Sequence, residues 1–141
     1  MKKNNKGFTL AELLIVVAII AVLVAIAIPV FSTRLEQSRE TTDIANLRSA
    51  YAAAQVGALS GDAAGVKYED GTYAYDPNNS VGISAKDGTG ALLGRGTGTE
   101  GKADSSALPQ ICSYSGGQDV RQKDIKIVFK SGTVESVKFA D

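Results

Sequence analysis

The chain has 141 residues and a formal net charge of zero, with 15 basic and 15 acidic side chains and no histidine. This length predicts one small domain, and the balanced charge gives no signature of nucleic-acid binding. The single cysteine, Cys112, excludes an intramolecular disulfide, and we interpret it as a small buried hydrophobe. Without histidine, a P-loop pattern or a dinucleotide-binding pattern, we expect no enzyme, no cofactor and no metal.

The N-terminal stretch combines a basic leader with an apolar run. Residues 1–7 are polar and carry the lysines Lys2, Lys3 and Lys6. The run Leu13–Ile28, extended to Phe31, comes close to the roughly 20 apolar residues that a membrane-spanning helix needs. Because lysines keep their flank of a span in the cytoplasm, we expect the N-terminus inside and the C-terminal bulk outside. A carboxylate at membrane depth costs about 3 kcal/mol and usually marks function, which draws attention to Glu12.

A single long helix is predicted from about Phe8 to about Leu59, because helix formers dominate and glycine is absent before Gly57. Beyond Phe31 the apolar positions recur at threes, fours and sevens: Leu35, Thr42, Ala45, Tyr51, Ala52 and Leu59. The charged residues between them are Arg34, Glu36, Arg39, Glu40, Asp43 and Arg48. This pattern predicts an amphipathic second half with one apolar stripe and a charged opposite face.

Pro29 lies inside this predicted helix. Its missing N–H leaves the carbonyl of Ala25 without a helical partner. Two interpretations remain open: a gentle kink that a membrane helix tolerates, or a position where the helix loosens on assembly.

The second half of the chain predicts glycine-rich loops and then a small sheet. Short strands are expected around residues 66–68 and 72–75, with surface loops up to residue 110. Alternation over Asp124–Lys130 and Thr133–Phe139 predicts a hairpin with a three-residue loop ending at a left-handed Gly132. That loop pairs Phe129 with Thr133 and Ile125 with Val137, puts Val128 and Val134 on the other face, and leaves Ile111–Tyr114 as a third strand. The fold class is therefore α+β: a long N-terminal helix, transmembrane then amphipathic, packed on a small C-terminal antiparallel sheet.

The motif Gly7-Phe8-Thr9-Leu10-Ala11-Glu12, between a lysine leader and an unbroken apolar run, resembles the class III signal of type IV pilins and type II secretion pseudopilins. The similarity is strong over residues 1 to about 35, and the order of helix and sheet extends it weakly to the end. Ala11 departs mildly from the family's common valine. The paired C-terminal cysteines of many Gram-negative pilins are missing, so no disulfide-bounded loop is expected.

The resemblance implies that a prepilin peptidase cleaves after Gly7 and N-methylates Phe8. It implies that Glu12 stands at the family's glutamate and Pro29 at its helix-breaking proline. Subunits would leave the lipid by packing their apolar helices together, and a buried Glu12 would then need a positive partner. The freed amine of a neighbouring Phe8 is the cation near that depth. The implied partners are other copies in a helical filament, the peptidase and the pilus assembly platform.

These inferences give a domain prediction of a leader (1–7), a transmembrane and filament-core helix (8–31) and a globular head (32–141). The head comprises an amphipathic helix (32–59), a glycine-rich loop region (60–110) and a sheet (111–141). Before assembly we expect a single pass through the cytoplasmic membrane, and after assembly a place in a pilus at the cell surface.

Several alternatives share some of these features. A pseudopilin of a secretion or DNA-uptake system has the same leader and helix, and only a DNA-uptake filament would contact nucleic acid. A secreted protein is a lesser alternative, because Ala25-Ile26-Ala27 resembles a signal peptidase site. Glu12 inside the apolar core and the continuing helix disfavour it. A membrane-anchored enzyme is disfavoured by the missing histidine and cofactor motifs.

Overall fold

The computed structural model describes residues 7–141. Within them it has one long helix, α1 (Leu10–Ser60), and four strands: β1 (Gly71–Ala74), β2 (Cys112–Ser113), β3 (Ile125–Lys130) and β4 (Thr133–Phe139). The chain divides into two compact units, one ending at Arg34 and a second, called here the C-terminal unit, comprising Leu35–Asp141. Helix α1 contributes residues to both.

The first part of α1 exposes its apolar side chains all round. Large apolar residues from Leu13 to Phe31 each keep about half or more of their surface in contact with solvent. The most apolar window of α1, with a mean hydropathy of 3.4, is long enough and apolar enough to cross a membrane. The predicted helix from Phe8 to Leu59 is confirmed with both ends shifted by one or two residues, and it continues through Pro29.

The C-terminal unit buries one face of α1 against a four-stranded sheet of order β1-β3-β4-β2. The core joins Leu47, Ala50 and Ala54 of α1 to Ile127 and Phe129 of β3, together with other buried sheet residues. The α+β fold class is therefore confirmed. The sheet is mixed rather than wholly antiparallel, because β2 pairs with β4 in parallel while the other two pairings are antiparallel.

The predicted apolar stripe of α1 is on the wrong side of the helix. Leu35, Thr42, Ala45, Ala52 and Leu59 are exposed, and of the predicted stripe Tyr51 alone packs, half-buried, against the core. The buried positions are instead Glu36, Glu40, Asp43, Ile44, Leu47, Ala50, Ala54 and Gly57. They keep the helical spacing of three and four, but they begin with three acids. A search for apolar periodicity misses such a face, since carboxylates usually contact water.

The hairpin joins its strands differently from the predicted three-residue loop. Lys130 pairs with Thr133, so the loop is the two residues Ser131-Gly132, both with positive φ (52° and 76°). Two consecutive positive φ angles are typical of the tight turn that matches strand twist. A register shift beside Val128 and Phe129 then pairs Phe129 with Val134 and Ile127 with Val137. The two-residue loop places Val134 opposite Phe129, where it is buried, so the prediction that it shares a face with Val128 is wrong. The bulge that follows Val134 then brings Val137 onto the same core face, opposite Ile127.

The region between α1 and the hairpin supplies the two outer strands. Strand β1 lies close to the predicted strand at 72–75 and pairs with β3. Residues 66–68 form no strand, and the ring of Tyr68 stacks on Phe129 at a centroid distance of 4.9 Å. Strand β2 lies within the predicted strand Ile111–Tyr114 and places Cys112 in the core.

Candidate functional site

The residues predicted for processing and assembly lie at the start of α1. Gly7 and Phe8 precede the helix, and the Phe8 side chain is 89% exposed. Of the predicted leader, residues 1–7, all but Gly7 lie outside the described residues. The peptide bond between Gly7 and Phe8 therefore stands in an exposed, non-helical stretch immediately before the first helical turn.

Thr9 and Glu12 cap the N-terminus of α1 reciprocally. The Thr9 N–H donates to Glu12 Oε2 at 3.0 Å, and the Glu12 N–H donates to Thr9 Oγ1 at 3.3 Å. This is the capping-box arrangement, in which two otherwise unpaired backbone donors of the first turn are satisfied. The negative charge of Glu12 also lies at the positive end of the helix dipole. Glu12 is thus held by its own chain while its side chain remains exposed.

Pro29 lies within an uninterrupted stretch of α1. In the next turn, the Ser32 hydroxyl donates to the carbonyl of Ile28 and the Thr33 hydroxyl donates to the carbonyl of Pro29, both at 3.1 Å. Side-chain hydroxyls that bond back to the preceding turn are a common companion of helix bending. A shallow apolar concavity of about 280 Å³ lies beside Val24, Ala27, Ile28, Phe31 and Ser32.

Three buried carboxylates on α1, called here the carboxylate clamp (Glu36, Glu40 and Asp43), hold the glycine-rich loop of the C-terminal unit. Glu40 accepts hydrogen bonds from the N–H groups of Gly101, Ala103 and Gly117 at 2.9, 3.0 and 3.1 Å. This carboxylate is only 1% exposed. Backbone donors thus take the place of the water that its charge loses on burial.

The other two members of the carboxylate clamp bind the preceding part of the loop. Glu36 accepts from the N–H of Thr97 at 2.6 Å and from its hydroxyl at 2.7 Å, and it pairs with Arg39 at 3.2 Å. Asp43 accepts from the N–H groups of Arg95 and Gly96, both at 2.8 Å. The loop predicted to be a surface loop is therefore fixed to α1 by charge-assisted hydrogen bonds.

The pKa values of Glu36 and Asp43 shift in opposite directions because the surroundings of the two carboxylates differ. Burial raises the pKa of Glu36, but hydrogen bonds from Thr97 and Arg39 outweigh it, so the pKa of Glu36 is lowered overall. Burial raises the pKa of Asp43, and hydrogen bonds from Gly96 and Arg95 do not fully offset this. Burial and the neighbouring Asp43 raise the pKa of the Tyr114 hydroxyl, which lies 3.4 Å from Asp43.

Phe8 lies just before α1, Glu12 lies in its first turn, and Pro29 lies further along the same helix. The roles of these residues in processing and assembly stay predictions. Sequence reasoning missed two features. The capping box had a clear signal, the spacing Thr9-x-x-Glu12 before an apolar run. The carboxylate clamp had only a weak one, the recurrence of Glu36, Glu40 and Asp43 in register with Leu47 and Ala54.

Comparison with known proteins bears on the N-terminal segment. Residues 2–28 match the family model for the prokaryotic N-terminal methylation motif. The type IV major pilin protein PilA of Myxococcus xanthus is 51% identical over 50 residues, covering 36% of this chain and 23% of that relative. Fimbrial protein Q of Moraxella bovis is 33% identical over 85 residues, covering 60% and 52%. The type IV narrow pilus major component PilA5 of Thermus thermophilus is 50% identical over 54 residues, covering 36% and 47%.

The aligned segments span between about a quarter and about half the length of these relatives. No solved structure matches the chain. The match to the family model lies where the sequence predicted it, over the motif and most of the apolar part of α1. The chain therefore carries the prokaryotic N-terminal methylation motif and is similar over part of its length to type IV pilins and fimbrial proteins, which confirms the resemblance to type IV pilins inferred from its sequence.

Proposed function

We propose that this chain is the structural subunit of a type IV pilus, cleaved between Gly7 and Phe8, N-methylated on Phe8 and polymerised through the first part of α1. The observation that carries the proposal is the exposed apolar surface of that segment. These side chains are not part of the core of the C-terminal unit. Ile15, Ile20 and Ile26 are each more than half exposed, which in water costs about 25 cal/mol per Å² of apolar surface. A membrane before assembly and neighbouring helices afterwards would each remove this cost.

Glu12 gives the assembly step its specificity. In the single chain the carboxylate contacts the N–H of Thr9 and otherwise faces outwards. When helices bundle, it is surrounded by apolar neighbours, where an unpaired charge is strongly destabilising. Cleavage after Gly7 creates an amine at Phe8, and pairing Glu12 with the Phe8 amine of the next subunit neutralises both charges. One repeated heterologous contact of this kind gives an open helical filament.

Processing is tested by mass spectrometry of protein sheared from the cell surface. The expected N-terminal peptide starts at Phe8 and carries one additional methyl group. A mature chain starting at Ile28 would overturn the proposal in favour of simple secretion. A correctly processed chain that never reaches the surface would favour a pseudopilin.

Assembly is tested by the Glu12→Ala variant, measured as surface filament yield relative to total cellular subunit. We expect normal synthesis and membrane insertion with little or no filament. Glu69→Ala removes an exposed carboxylate of the C-terminal unit and is the matched control, with a normal yield expected. A normal yield for Glu12→Ala would show that Glu12 does not direct assembly.

A further inference from the structure

An open cleft of about 750 Å³ in the C-terminal unit collects cationic side chains from three separate segments. Its lining includes Arg39 from α1, Arg95 from the glycine-rich loop, and Arg121 and Lys123 from the turn before β3. Asp119 is the acid among its lining residues. This set, called here the basic cleft, gathers positive charge in a chain that is neutral overall.

The backbone beneath the basic cleft is fixed. The carboxylate clamp holds the Arg95 N–H through Asp43. The Gly94 N–H donates to the carbonyl of Lys123, and the Gln122 N–H donates to the carbonyl of Gly94, both at 3.1 Å. The two segments that carry Arg95 and Lys123 are therefore tied to each other as well as to α1. A ligand that binds here does not have to order the backbone first, which favours affinity.

Two of the four cations are neutralised within the cleft. Arg39 pairs with Glu36, and Arg121 binds Asp119 through two hydrogen bonds, Nε to Oδ1 at 3.0 Å and an η nitrogen to Oδ2 at 2.7 Å. These hydrogen bonds lower the pKa of Asp119 to about 2, so its carboxyl group is ionised beside Arg121 at neutral pH.

The other two cations keep their charge available. Within residues 7–141, the Arg95 guanidinium and the Lys123 ammonium make no side-chain hydrogen bond or ion pair, although the charge of Lys123 helps to lower the pKa of Asp119. The basic cleft consequently presents two cations without an ion-pair partner, one as a planar fork and one as a compact point charge, above the buried carboxylate of Asp43.

We propose that the basic cleft binds a phosphate group. A phosphate monoester carries about −1.5 to −2 charge at neutral pH, which matches the two available cations. A guanidinium fork donates two parallel hydrogen bonds to phosphate oxygens, and a lysine ammonium adds a point charge. The cleft is larger than one phosphate, so it accommodates either the free ion or one unit of a phosphate polymer, which share this chemistry.

The test uses the isotope-labelled full chain in uncharged detergent micelles, with inorganic phosphate and then polyphosphate added at constant ionic strength. We expect saturable amide shifts at Gly94, Arg95, Thr97 and Lys123 with both probes. The Arg95→Gln/Lys123→Gln double variant should lose these shifts, a loss of at least tenfold in apparent affinity. Its unchanged remaining spectrum shows that the fold is intact.

The charge-matched control is the Lys67→Gln/Lys102→Gln double variant, which removes two exposed lysines outside the cleft lining. It should keep wild-type binding. Shifts from polyphosphate alone that both double variants weaken equally would reveal diffuse charge attraction and overturn the proposal. The absence of saturable shifts in the wild-type chain with either probe would overturn it too. The measurement uses unassembled subunits, so its result does not depend on filament formation.

Discussion

Helix α1 carries carboxylates in two contrasting settings. Near its start, Glu12 lies on an exposed apolar surface and is bound only within its own turn, through Thr9. About seven turns later, Glu36, Glu40 and Asp43 are buried and accept hydrogen bonds from a loop some 50 to 80 residues away in sequence. The Glu12 carboxylate is exposed, whereas the carboxylates of Glu36, Glu40 and Asp43 accept hydrogen bonds from distant backbone N–H groups of the same chain.

The difference indicates which part of α1 has all its packing and hydrogen-bonding partners within a single chain. A buried charge is tolerated where donors surround it, as at Glu40. An apolar surface with an exposed charge, as around Glu12, is completed only by a membrane or by other subunits. The same amino-acid type therefore contributes to folding in the C-terminal unit and, in our proposal, to assembly near the N-terminus.

The largest expected effect is a loss of stability in the Glu40→Ala variant, which tests the role of a buried carboxylate in folding. Glu40→Ala leaves the N–H groups of Gly101, Ala103 and Gly117 without their acceptor. The Gly101 donor is buried and the other two are partly buried, and a buried donor left unpaired costs about 1–3 kcal/mol, so we expect a loss of about 3 kcal/mol in the free energy of unfolding. Thermal unfolding followed by near-UV circular dichroism of the tyrosines should show a midpoint lower by about 10 °C or more.

The control for that experiment is Glu12→Ala, which removes the same side chain from the other setting. The unfolding midpoint of the C-terminal unit should match that of the wild type. If Glu12→Ala and Glu40→Ala lowered the unfolding midpoint equally, the division of α1 into a folding part and an assembly part would be wrong.

A second prediction tests how closely the loop approaches α1. A Cβ atom at Gly101 would overlap the backbone nitrogen of Gln37, so Gly101→Ala must push the loop off the helix. We expect a loss of about 2 kcal/mol in the free energy of unfolding, by chemical denaturation. At Gly116 the nearest atom would be Glu40 Oε1 at 3.3 Å, and Gly116→Ala should cost under about 1 kcal/mol. Equal costs at the two positions would contradict the close approach.

The carboxylate clamp also predicts opposite pH responses from two of its members. Glu36→Gln keeps an acceptor for Thr97 but loses the charge, so we expect a loss of about 1 kcal/mol at neutral pH. Because the pKa of Glu36 is lowered on folding, its contribution is complete above the ordinary value of 4.5 and is lost as the pH falls through the lower folded value. The difference between the wild type and Glu36→Gln should therefore shrink on acidification below about pH 4.5.

Asp43→Asn should show the reverse trend. The pKa of Asp43 is raised on folding, so the wild type gains stability relative to this variant as the pH falls through that raised value. Denaturant unfolding at a series of pH values measures both differences. Parallel slopes for the two variants would show that their carboxylates do not differ in the way the structure indicates.

The sequence predicted those features that rest on local pattern. The apolar run, the long helix, the alternating strands β3 and β4 and the burial of Cys112 are all confirmed. Each depends on residues close together in the chain, where periodicity and helix propensity act directly.

The failures arise where distant residues decide the outcome. The burial of Glu40 depends on donors at Gly101 and Gly117, and no pattern within α1 reveals that these will be present. The hairpin required either an odd loop or a bulge, and the bulge next to Phe129 allowed the tighter turn at Ser131-Gly132. The basic cleft likewise joins Arg39, Arg95 and Lys123 from three segments that only the fold brings together.

The smallest expected effect concerns the exposed end of α1. Thr9→Ala removes the hydroxyl that accepts from the Glu12 N–H, and such a cap contributes about 1 kcal/mol to the first helical turn. Hydrogen exchange in micelles should therefore be about fivefold faster at Glu12 and Leu13, with unchanged exchange in the C-terminal unit. Thr33→Ala is the matched control, since its hydroxyl bonds only a carbonyl of the preceding turn, that of Pro29. Unchanged exchange at Glu12 and Leu13 in Thr9→Ala would show that the Thr9 hydroxyl does not stabilise the first turn. The capping box would then reduce to the hydrogen bond from the Thr9 N–H to the Glu12 carboxylate, and the contrast with Glu40 would rest on that bond alone.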